Sequence, residues 1–207
     1  MAETIVPEVV VFDLGKVLVD FDYGIAARKI AQRSDVSAAE VLEFICESPL
    51  LCLYETGQIN RQQFFDRVRA ESGFRGDLQE FGSYFADIFQ PIGPMVDLAG
   101  QLRARQVPIF IFSNTNDLAI EHIRRNFPFF SGFDGYVLSY EHGVMKPDHK
   151  LYEVVERMAG AAGQQILFLD DRSENVAAGK ARGWQVIRHQ KIEETLAVIA
   201  QMEFLAR

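Results

Sequence analysis

The sequence predicts an α/β fold in which a doubly wound parallel sheet carries an inserted helical module. Short apolar runs alternate with helix-like periodicity along most of the 207 residues. This alternation is typical of βα units whose sheet is covered by helices on both faces. The predicted strands are 9–14, 108–112, 135–138, 166–170 and 185–187, and the predicted helices are 94–105, 117–126, 149–158, 173–182 and 192–204.

The insertion is predicted by a long segment without a convincing strand. A parallel crossover usually needs only about a dozen residues, whereas this one spans residues 15–107. Asn60 is expected to cap a helix within it. The segment's apolar stripes at helical spacing are 24–31, 38–46, 61–70 and 78–89. The sequence therefore predicts a core of residues 1–20 and 91–207, a helical module of residues 21–90, and hinges at 20–23 and 90–94.

Composition restricts the function classes. A formal net charge of −8 argues against nucleic-acid binding, which normally needs a basic face or stripe. An anionic small substrate is compatible with this charge if cations are concentrated locally. No apolar stretch approaches the ~20 residues that span a bilayer. Cys46 and Cys52 are too few for a disulfide framework, and the N-terminus lacks a signal-peptide pattern, so we expect a cytoplasmic protein. The sequence indicates no oligomeric state.

An aspartate stands near the end of the first apolar strand. A buried carboxylate such as Asp13 costs several kcal/mol unless a cation or hydrogen-bond donors stabilise it. Ser113 follows the second predicted strand and Asp170 ends a later one, while Lys146 lies in the sequence Met-Lys-Pro-Asp. Ligands of doubly wound sheets bind beyond the carboxyl ends of the strands, so we expect these groups to converge there.

The residue types in this predicted cluster suit phosphoryl chemistry. Asp13 and Asp171 can hold one Mg²⁺, which typically uses one or two carboxylates together with waters and substrate phosphate. Such a cation lets a carboxylate attack phosphorus, because it offsets the repulsion between the two anions. Ser113 and the amide of Asn114 can donate to phosphoryl oxygens, and Lys146 can neutralise the remaining charge. Each residue alone also suits an ordinary cap or loop position; the combination predicts a site.

Four motifs in this order resemble those of the haloacid dehalogenase-like (HAD) hydrolase superfamily. They are Phe-Asp-Leu-Gly near the N-terminus, Phe-Ser-Asn-Thr-Asn, Met-Lys-Pro-Asp and Phe-Leu-Asp-Asp. The resemblance covers nearly the whole chain. It implies a Rossmann-like catalytic core with an inserted α-helical cap, which residues 21–90 would form.

The resemblance also implies roles for individual residues. Asp13 would be the nucleophile that forms an aspartyl-phosphate, and Lys146 would balance its charge. The other implied contacts are phosphate binding by Ser113 and Asn114, and Mg²⁺ coordination by Asp13, Asp171 and the main-chain carbonyl of Gly15. We expect two supporting residues: Asp170, which would accept from Lys146 or a water, and Asn175, which would orient Asp171 or a metal-bound water.

Position 15 departs from the pattern of phosphatases in this superfamily. They usually carry a second aspartate there, as acid for the leaving group and base for the attacking water, whereas this chain has Gly15. Loss of such an acid costs on the order of 10²–10⁴ in rate where the leaving group needs a proton. An anomeric hydroxyl needs less protonation. Asp-Leu-Gly with Ser-Asn-Thr-Asn and Asp-Asp is similar to the bacterial α-D-glucose-1-phosphate phosphatases, so the leading prediction is a Mg²⁺-dependent sugar phosphatase.

Two other functions stay open. A 2-haloacid dehalogenase would use Asp13 to displace halide without a metal, although Asp170 and Asp171 would then repel a carboxylate substrate. A non-catalytic protein would bind a phosphorylated ligand or a partner without turnover, which would leave the combination of nucleophile, lysine and metal carboxylates unexplained.

Substrate choice is expected to lie in the cap. The metal, Asp13 and Lys146 contact only the group that all phosphate esters share. Cap closure about the hinges would exclude water. The candidates to face the leaving group are Phe21, Asp22, Tyr54 and Glu55.

Overall fold

A computed structural model describes residues 6–202 and confirms the predicted fold class. The strands in chain order are β1 (Val9–Phe12), β2 (Val19–Phe21), β3 (Phe89–Pro91), β4 (Ile109–Ser113), β5 (Gly135–Leu138), β6 (Ile166–Asp170) and β7 (Gln185–Arg188). Within the described residues, the main sheet has five parallel strands in the spatial order β5-β4-β1-β6-β7. Each of the five predicted strands is present, with ends that differ by at most two residues.

The helices surround this sheet and fill the insertion. They are α1 (Tyr23–Ala31), α2 (Ala38–Leu42), a π-helix (Glu43–Glu47), α3 (Leu50–Glu55), α4 (Arg61–Ser72), α5 (Leu78–Ala86), α6 (Gly93–Ala104), α7 (Asp117–Asn126), α8 (Ser139–His142), α9 (His149–Ala159), α10 (Ser173–Ala181) and α11 (Ile192–Ala200), with 3₁₀ turns at Pro128–Gly132 and Gly163–Gln165. The predicted helix 192–204 ends at Ala200, and residues 203 and 204 lie outside the described part of the chain.

The sheet buries both faces of its three central strands, β4, β1 and β6, because these strands are almost entirely apolar. Successive strand residues point to opposite faces, so Val10 and Phe12 pack with α6, α7 and α11, while Val9 and Val11 pack with α9. All four residues of β1 are buried, as expected for a central strand between two helical layers. The doubly wound arrangement therefore follows from hydrophobic runs that do not alternate with polar residues.

The inserted helices have a hydrophobic core of their own. Its centre is aromatic: the ring centroid of Tyr54 lies 4.5 Å from that of Phe64, and Phe64 lies 5.1 Å from Phe85. Asn60 caps α4 as predicted, because its side chain accepts from the N–H of Gln63 at 2.9 Å. The predicted stripe 38–46 is split between α2 and the π-helix, and α3 lies in a segment for which no helix was predicted.

The insertion begins and ends in a small antiparallel ribbon that the sequence prediction missed. β2 pairs with β3, with Val19 opposite Pro91 and Phe21 opposite Phe89. The predicted hinges at 20–23 and 90–94 therefore overlap paired strands. Strands of three residues carry too little periodicity to be recognised from sequence alone.

Gly57 provides a test of how the insertion is fixed to the core. It has φ +65°, and a Cβ there would lie 2.3 Å from the carbonyl oxygen of Tyr140, whereas Gly143 has φ +74° and open space. We expect Gly57→Ala to lower the free energy of unfolding by about 2–4 kcal/mol, and Gly143→Ala by about 1 kcal/mol, because only the first adds a clash to the left-handed backbone. Urea denaturation measures both. Equal losses would show that the close approach to Tyr140 does not matter.

Candidate active site

The carboxyl edge of the sheet opens into a cavity of about 450 Å³ that gathers the residues predicted from the sequence. The lining residues among them are Asp13, Gly15, Ser113, Asn114, Lys146, Asp171 and Asn175. Asp170 lies beneath the cavity floor and has no exposed surface. The rule that ligand-binding groups follow parallel strands thus places all the predicted residues in one region.

Lys146 is the buried cation of the site. Its Nζ lies 3.0 Å from Asp13 Oδ1 and 2.7 Å from Asp170 Oδ2, and it donates to the carbonyl of Phe112 at 2.8 Å. Only 1% of the side chain is exposed. Burial disfavours the ammonium, but the charges of Asp13 and Asp170 outweigh burial and raise the pKa of Lys146. The lysine therefore stays charged and holds the two carboxyl groups in place.

Asp13 is oriented through one of its two oxygens. The N–H of Leu14 donates to Oδ1 at 2.7 Å, on the same oxygen that faces Lys146. Burial raises the pKa of Asp13 to about 7, although Lys146 acts to lower it. A divalent cation beside the carboxyl group would lower this pKa and favour the ionised, nucleophilic form.

The donor set at this edge suits Mg²⁺. Carboxylate oxygens of Asp13, Asp170 and Asp171 lie within 4.8 Å of one another. Asp170 is already engaged by Lys146 and by the N–H of Arg172 at 2.8 Å. Asp13 and the partly exposed Asp171 are therefore the better placed carboxylate ligands, in the all-oxygen environment that Mg²⁺ prefers.

Asn175 supports a different carboxylate from the predicted one. Its Nδ2 donates to both oxygens of Asp170 at 3.0 Å, instead of orienting Asp171. The reason is its position in the first turns of α10, directly beside the end of β6. Among the described residues, Asn175 Oδ1 is the buried side-chain atom without a hydrogen-bond partner, and it can accept from a water bound to a cation.

The loop after β4 uses its two asparagines for structure. Asn114 clasps the main chain of Lys146: its Oδ1 accepts from the Lys146 N–H at 2.7 Å and its Nδ2 donates to the carbonyl at 3.0 Å. Asn116 caps α7 by accepting from the N–H of Ala119 at 3.0 Å. Ser113 is thus free of the helix-capping role, and its buried hydroxyl makes only a 3.3 Å contact to the carbonyl of Asn114.

The side of Gly15 where a catalytic acid would stand is filled by an aromatic ring. A Cβ on Gly15 would lie 2.8 Å from Cε1 of Phe21. Lys16, next in the chain, also lines the cavity, and its Nζ is engaged by Asp20 Oδ1 at 2.5 Å and by the carbonyl of Phe21 at 2.8 Å. The absence of the usual acid is therefore accompanied by close approach of the Phe21 ring to position 15.

Two of the four predicted cap residues line the cavity. Phe21 and Glu55 do so, whereas Asp22 caps α1 by accepting from the N–H of Gly24 at 2.7 Å. Tyr54 is buried in the aromatic core of the insertion, and its hydroxyl donates to Asp117. Further lining residues that the sequence prediction missed include Tyr23, Leu51, Met145 and Arg172. Met145 and Arg172 had a sequence signal, since each is next to a predicted site residue, Lys146 and Asp171.

A parallel sheet with inserted helices and a lysine-held aspartate at its carboxyl edge places the chain among α/β proteins whose ligand site lies at that edge. The sequence model of the haloacid dehalogenase-like hydrolases matches residues 7–183. The chain belongs to the haloacid dehalogenase-like hydrolase family. Within residues 6–202, no helix is long and apolar enough to cross a membrane.

Individual relatives carry several activities. The chain is 26% identical to a sesquiterpene phosphatase of Aspergillus oryzae over 133 residues, which cover 63% of this chain and 67% of that protein. It is 23% identical to D-ribitol-5-phosphate phosphatase of Bacteroides thetaiotaomicron over 186 residues, or 86% and 90% of the two chains. It is 27% identical to an (S)-2-haloacid dehalogenase of Pseudomonas putida over 96 residues, which cover 46% of this chain and 42% of that protein.

The fold is also found in solved structures. A HAD family enzyme of Bacteroides thetaiotaomicron, crystallised with magnesium and inorganic phosphate, matches with a TM-score of 0.80 and 21% identity. The match covers 89% of this chain and 94% of that one. The likeness shows a shared arrangement of sheet and inserted helices.

Proposed function

We propose that the chain is a Mg²⁺-dependent phosphatase that hydrolyses a small phosphate ester through an aspartyl-phosphate on Asp13. The observation that carries the proposal is the contact of Lys146 with both Asp13 and Asp170, beside the half-buried Asp171. This arrangement supplies a positioned nucleophile, a fixed positive charge and ligands for a cation. The two phosphatases among the relatives support the same reading.

In the proposed reaction, Asp13 attacks phosphorus with the oxygen that does not face Lys146. Oδ1 is held by Lys146 and the N–H of Leu14, which fixes the direction of Oδ2. Mg²⁺, held by Asp13, Asp171 and the carbonyl of Gly15, would offset the negative charge shared by the nucleophile and the phosphoryl group.

Phosphoryl oxygens would be bound by the loops around Asp13. The hydroxyl of Ser113 is a donor at the cavity wall, and the Lys146 ammonium supplies positive charge there. We assign the main-chain N–H of Asn114 as a third donor, because its side chain is engaged with the main chain of Lys146. Such donors stabilise charge that develops in the transition state.

We propose residues 1–20 and 91–207 as the catalytic core and residues 21–90 as a cap that selects the substrate. The cap contacts the core through Tyr54 and Arg61, whose side chains both bind Asp117, with an Arg61 Nε to Asp117 Oδ2 distance of 2.5 Å. The cavity between the inserted helices and the sheet edge has a size that suits a small ester, for which a sugar phosphate such as α-D-glucose 1-phosphate is our leading candidate.

Metal dependence tests the proposal directly. Phosphate release is measured over a panel that includes α-D-glucose 1-phosphate, ribitol 5-phosphate and simple alkyl phosphates, with Mg²⁺ and with chelator. We expect release that chelator abolishes and added Mg²⁺ restores, because Asp13 and Asp171 otherwise face the phosphate without a cation.

Two outcomes would contradict this. Release that chelator leaves unchanged would remove Mg²⁺ from the mechanism. No release from any ester, together with halide release from a 2-haloacid, would favour the dehalogenase function that the partial match to the Pseudomonas putida enzyme represents.

A further inference from the structure

The catalytic cavity contains one acidic side chain from the cap. Among the described residues, Glu55 is the cap carboxylate that lines the cavity, at the end of α3 and in the same lining as Asp13, Lys146 and Asp171. The two core carboxylates of the cavity already have roles: Asp13 as the nucleophile and metal ligand, and Asp171 as a metal ligand. Glu55 has no role in the mechanism derived so far.

The main chain at Glu55 is held firmly against the phosphate-binding loop. Ser139, which has no exposed surface, donates its hydroxyl to the carbonyl of Glu55 at 2.6 Å. The same Oγ accepts from the N–H of Thr115 at 2.9 Å. One buried hydroxyl thus joins the cap residue to the loop that directly follows Ser113.

A second contact, made just after Glu55, holds the C-terminal end of α3 against the core. Gly57 approaches the carbonyl of Tyr140 so closely that no side chain fits between them. Ser139 and Tyr140 both belong to α8, which follows the edge strand β5. The main chain that carries Glu55 is therefore fixed by the core as well as by the cap, which limits the region that its carboxyl group can reach.

Gly15 offers no proton to a leaving group, and a side chain at position 15 would have to displace the ring of Phe21. The ring of Phe21 stands 2.8 Å from where a Cβ of residue 15 would be. Phe21 and Glu55 both line the cavity. The acid needed for a poor leaving group must therefore come from elsewhere on the cavity wall.

The pKa of Glu55 is suited to a residue that both donates and accepts a proton. Burial in the cavity wall raises the pKa of Glu55 to about 7, while Arg172, on the loop after β6, acts to lower it. A carboxyl group with a pKa near the working pH is populated in both forms, which is the condition for efficient general acid and base catalysis.

We propose that Glu55 is the general acid and base of this enzyme, supplying from the cap the proton transfer that Gly15 cannot perform. This inference rests on the proposed phosphatase function. As Asp13 forms its bond to phosphorus and the ester P–O bond breaks, the Glu55 carboxyl gives its proton to the leaving oxygen, which departs as an alcohol. Water then attacks the aspartyl-phosphate, the Asp13–phosphorus bond breaks, and the Glu55 carboxylate takes the proton of the water.

Glu55→Gln tests this, because the amide keeps the size of the side chain and cannot transfer the proton. The value of kcat/KM reports the steps up to release of the alcohol. We expect it to fall by about 10²–10⁴ for alkyl phosphates and by less than about 10-fold for 4-nitrophenyl phosphate, whose leaving group needs no acid. Glu47→Gln, at an exposed position of the π-helix, is the matched control and should change neither value.

A second measurement uses the other half of the reaction. With 4-nitrophenyl phosphate, Glu55→Gln should release a burst of one nitrophenol per active site and then turn over slowly, because the aspartyl-phosphate waits for water without a base. If Glu55 had only a structural role, Glu55→Gln would lower kcat/KM equally for both kinds of ester and would give no burst.

The outcomes separate this inference from the proposed function. If the wild type shows Mg²⁺-dependent release and Glu55→Gln matches it on every ester, Glu55 is not the acid while the phosphatase function stands. Equal losses on alkyl and aryl esters would also overturn the inference. If the wild type releases no phosphate from any ester, the proposed function fails and the inference falls with it.

Discussion

Asp13→Asn should abolish phosphate release while the fold stays intact. Asparagine keeps an Oδ1 that can accept from the Leu14 N–H and from Lys146, so the local hydrogen bonds survive. Its amide cannot attack phosphorus. We expect kcat to fall by about 10⁴-fold or more, as is usual when a covalent nucleophile is removed.

The stability of Asp13→Asn should stay within about 1 kcal/mol of the wild type, because Lys146 keeps its 2.7 Å contact with Asp170. Asp97→Asn, at an exposed position of α6, is the matched control for activity. Steady-state phosphate release and urea denaturation measure the two properties. Residual turnover within 10-fold of the wild type, from protein free of wild-type contamination, would exclude Asp13 as the nucleophile.

Lys146→Met should damage activity and stability together. The lysine is the cation shared by Asp13 and Asp170, and its removal leaves two buried carboxyl groups without a counter-charge. Breaking a buried ion pair in this way costs about 3–5 kcal/mol of unfolding free energy. We expect a loss of kcat of about 10²–10³ as well, because a fixed charge near the phosphoryl group is removed.

The stability loss of Lys146→Met should grow with pH. The pKa of Asp13 is about 7 even with the lysine present, and removal of the ammonium raises it further. A carboxyl group whose pKa is higher in the folded state favours that state when protonated, and this contribution is lost as pH rises through the folded pKa. In chelator, the difference from the wild type should therefore be larger at pH 8 than at pH 5.

Two further variants make this test specific. Lys150→Met, at an exposed position of α9, should leave stability unchanged. Asp13→Asn added to Lys146→Met should recover part of the lost stability, since it removes one of the unpaired charges. A double variant less stable than Lys146→Met alone would mean that charge repulsion is not the cause.

The sheet was predictable because its central strands are hydrophobic runs without alternation. Once the strands were located, the polar residues at their ends indicated the site. Asp13, Ser113 and Asp170 each end or follow a strand, and parallel strands bring those ends together. Side-chain direction was not predictable. Asn114 turns its amide to the main chain of Lys146, and Tyr54 enters the aromatic core of the insertion, because tertiary packing decides these orientations.

Short helices and strands also could not be predicted from the sequence. The ribbon of β2 and β3 has three residues on each strand, and α3 has six. Neither is long enough for hydrophobic periodicity to appear. The α3 helix nevertheless carries Glu55, so the prediction found that residue from its sequence neighbourhood without the element that positions it.

The ribbon has a consequence for how such a protein can diversify. Because Val19 at the start of β2 pairs with Pro91 at the end of β3, the two junctions of the insertion are neighbours whatever lies between them. Closing a longer or shorter loop between fixed neighbouring ends changes the chain entropy only slowly with length. Recombination at these junctions could exchange one inserted unit for another and alter substrate range in a single step, with the chemical machinery of the sheet left untouched.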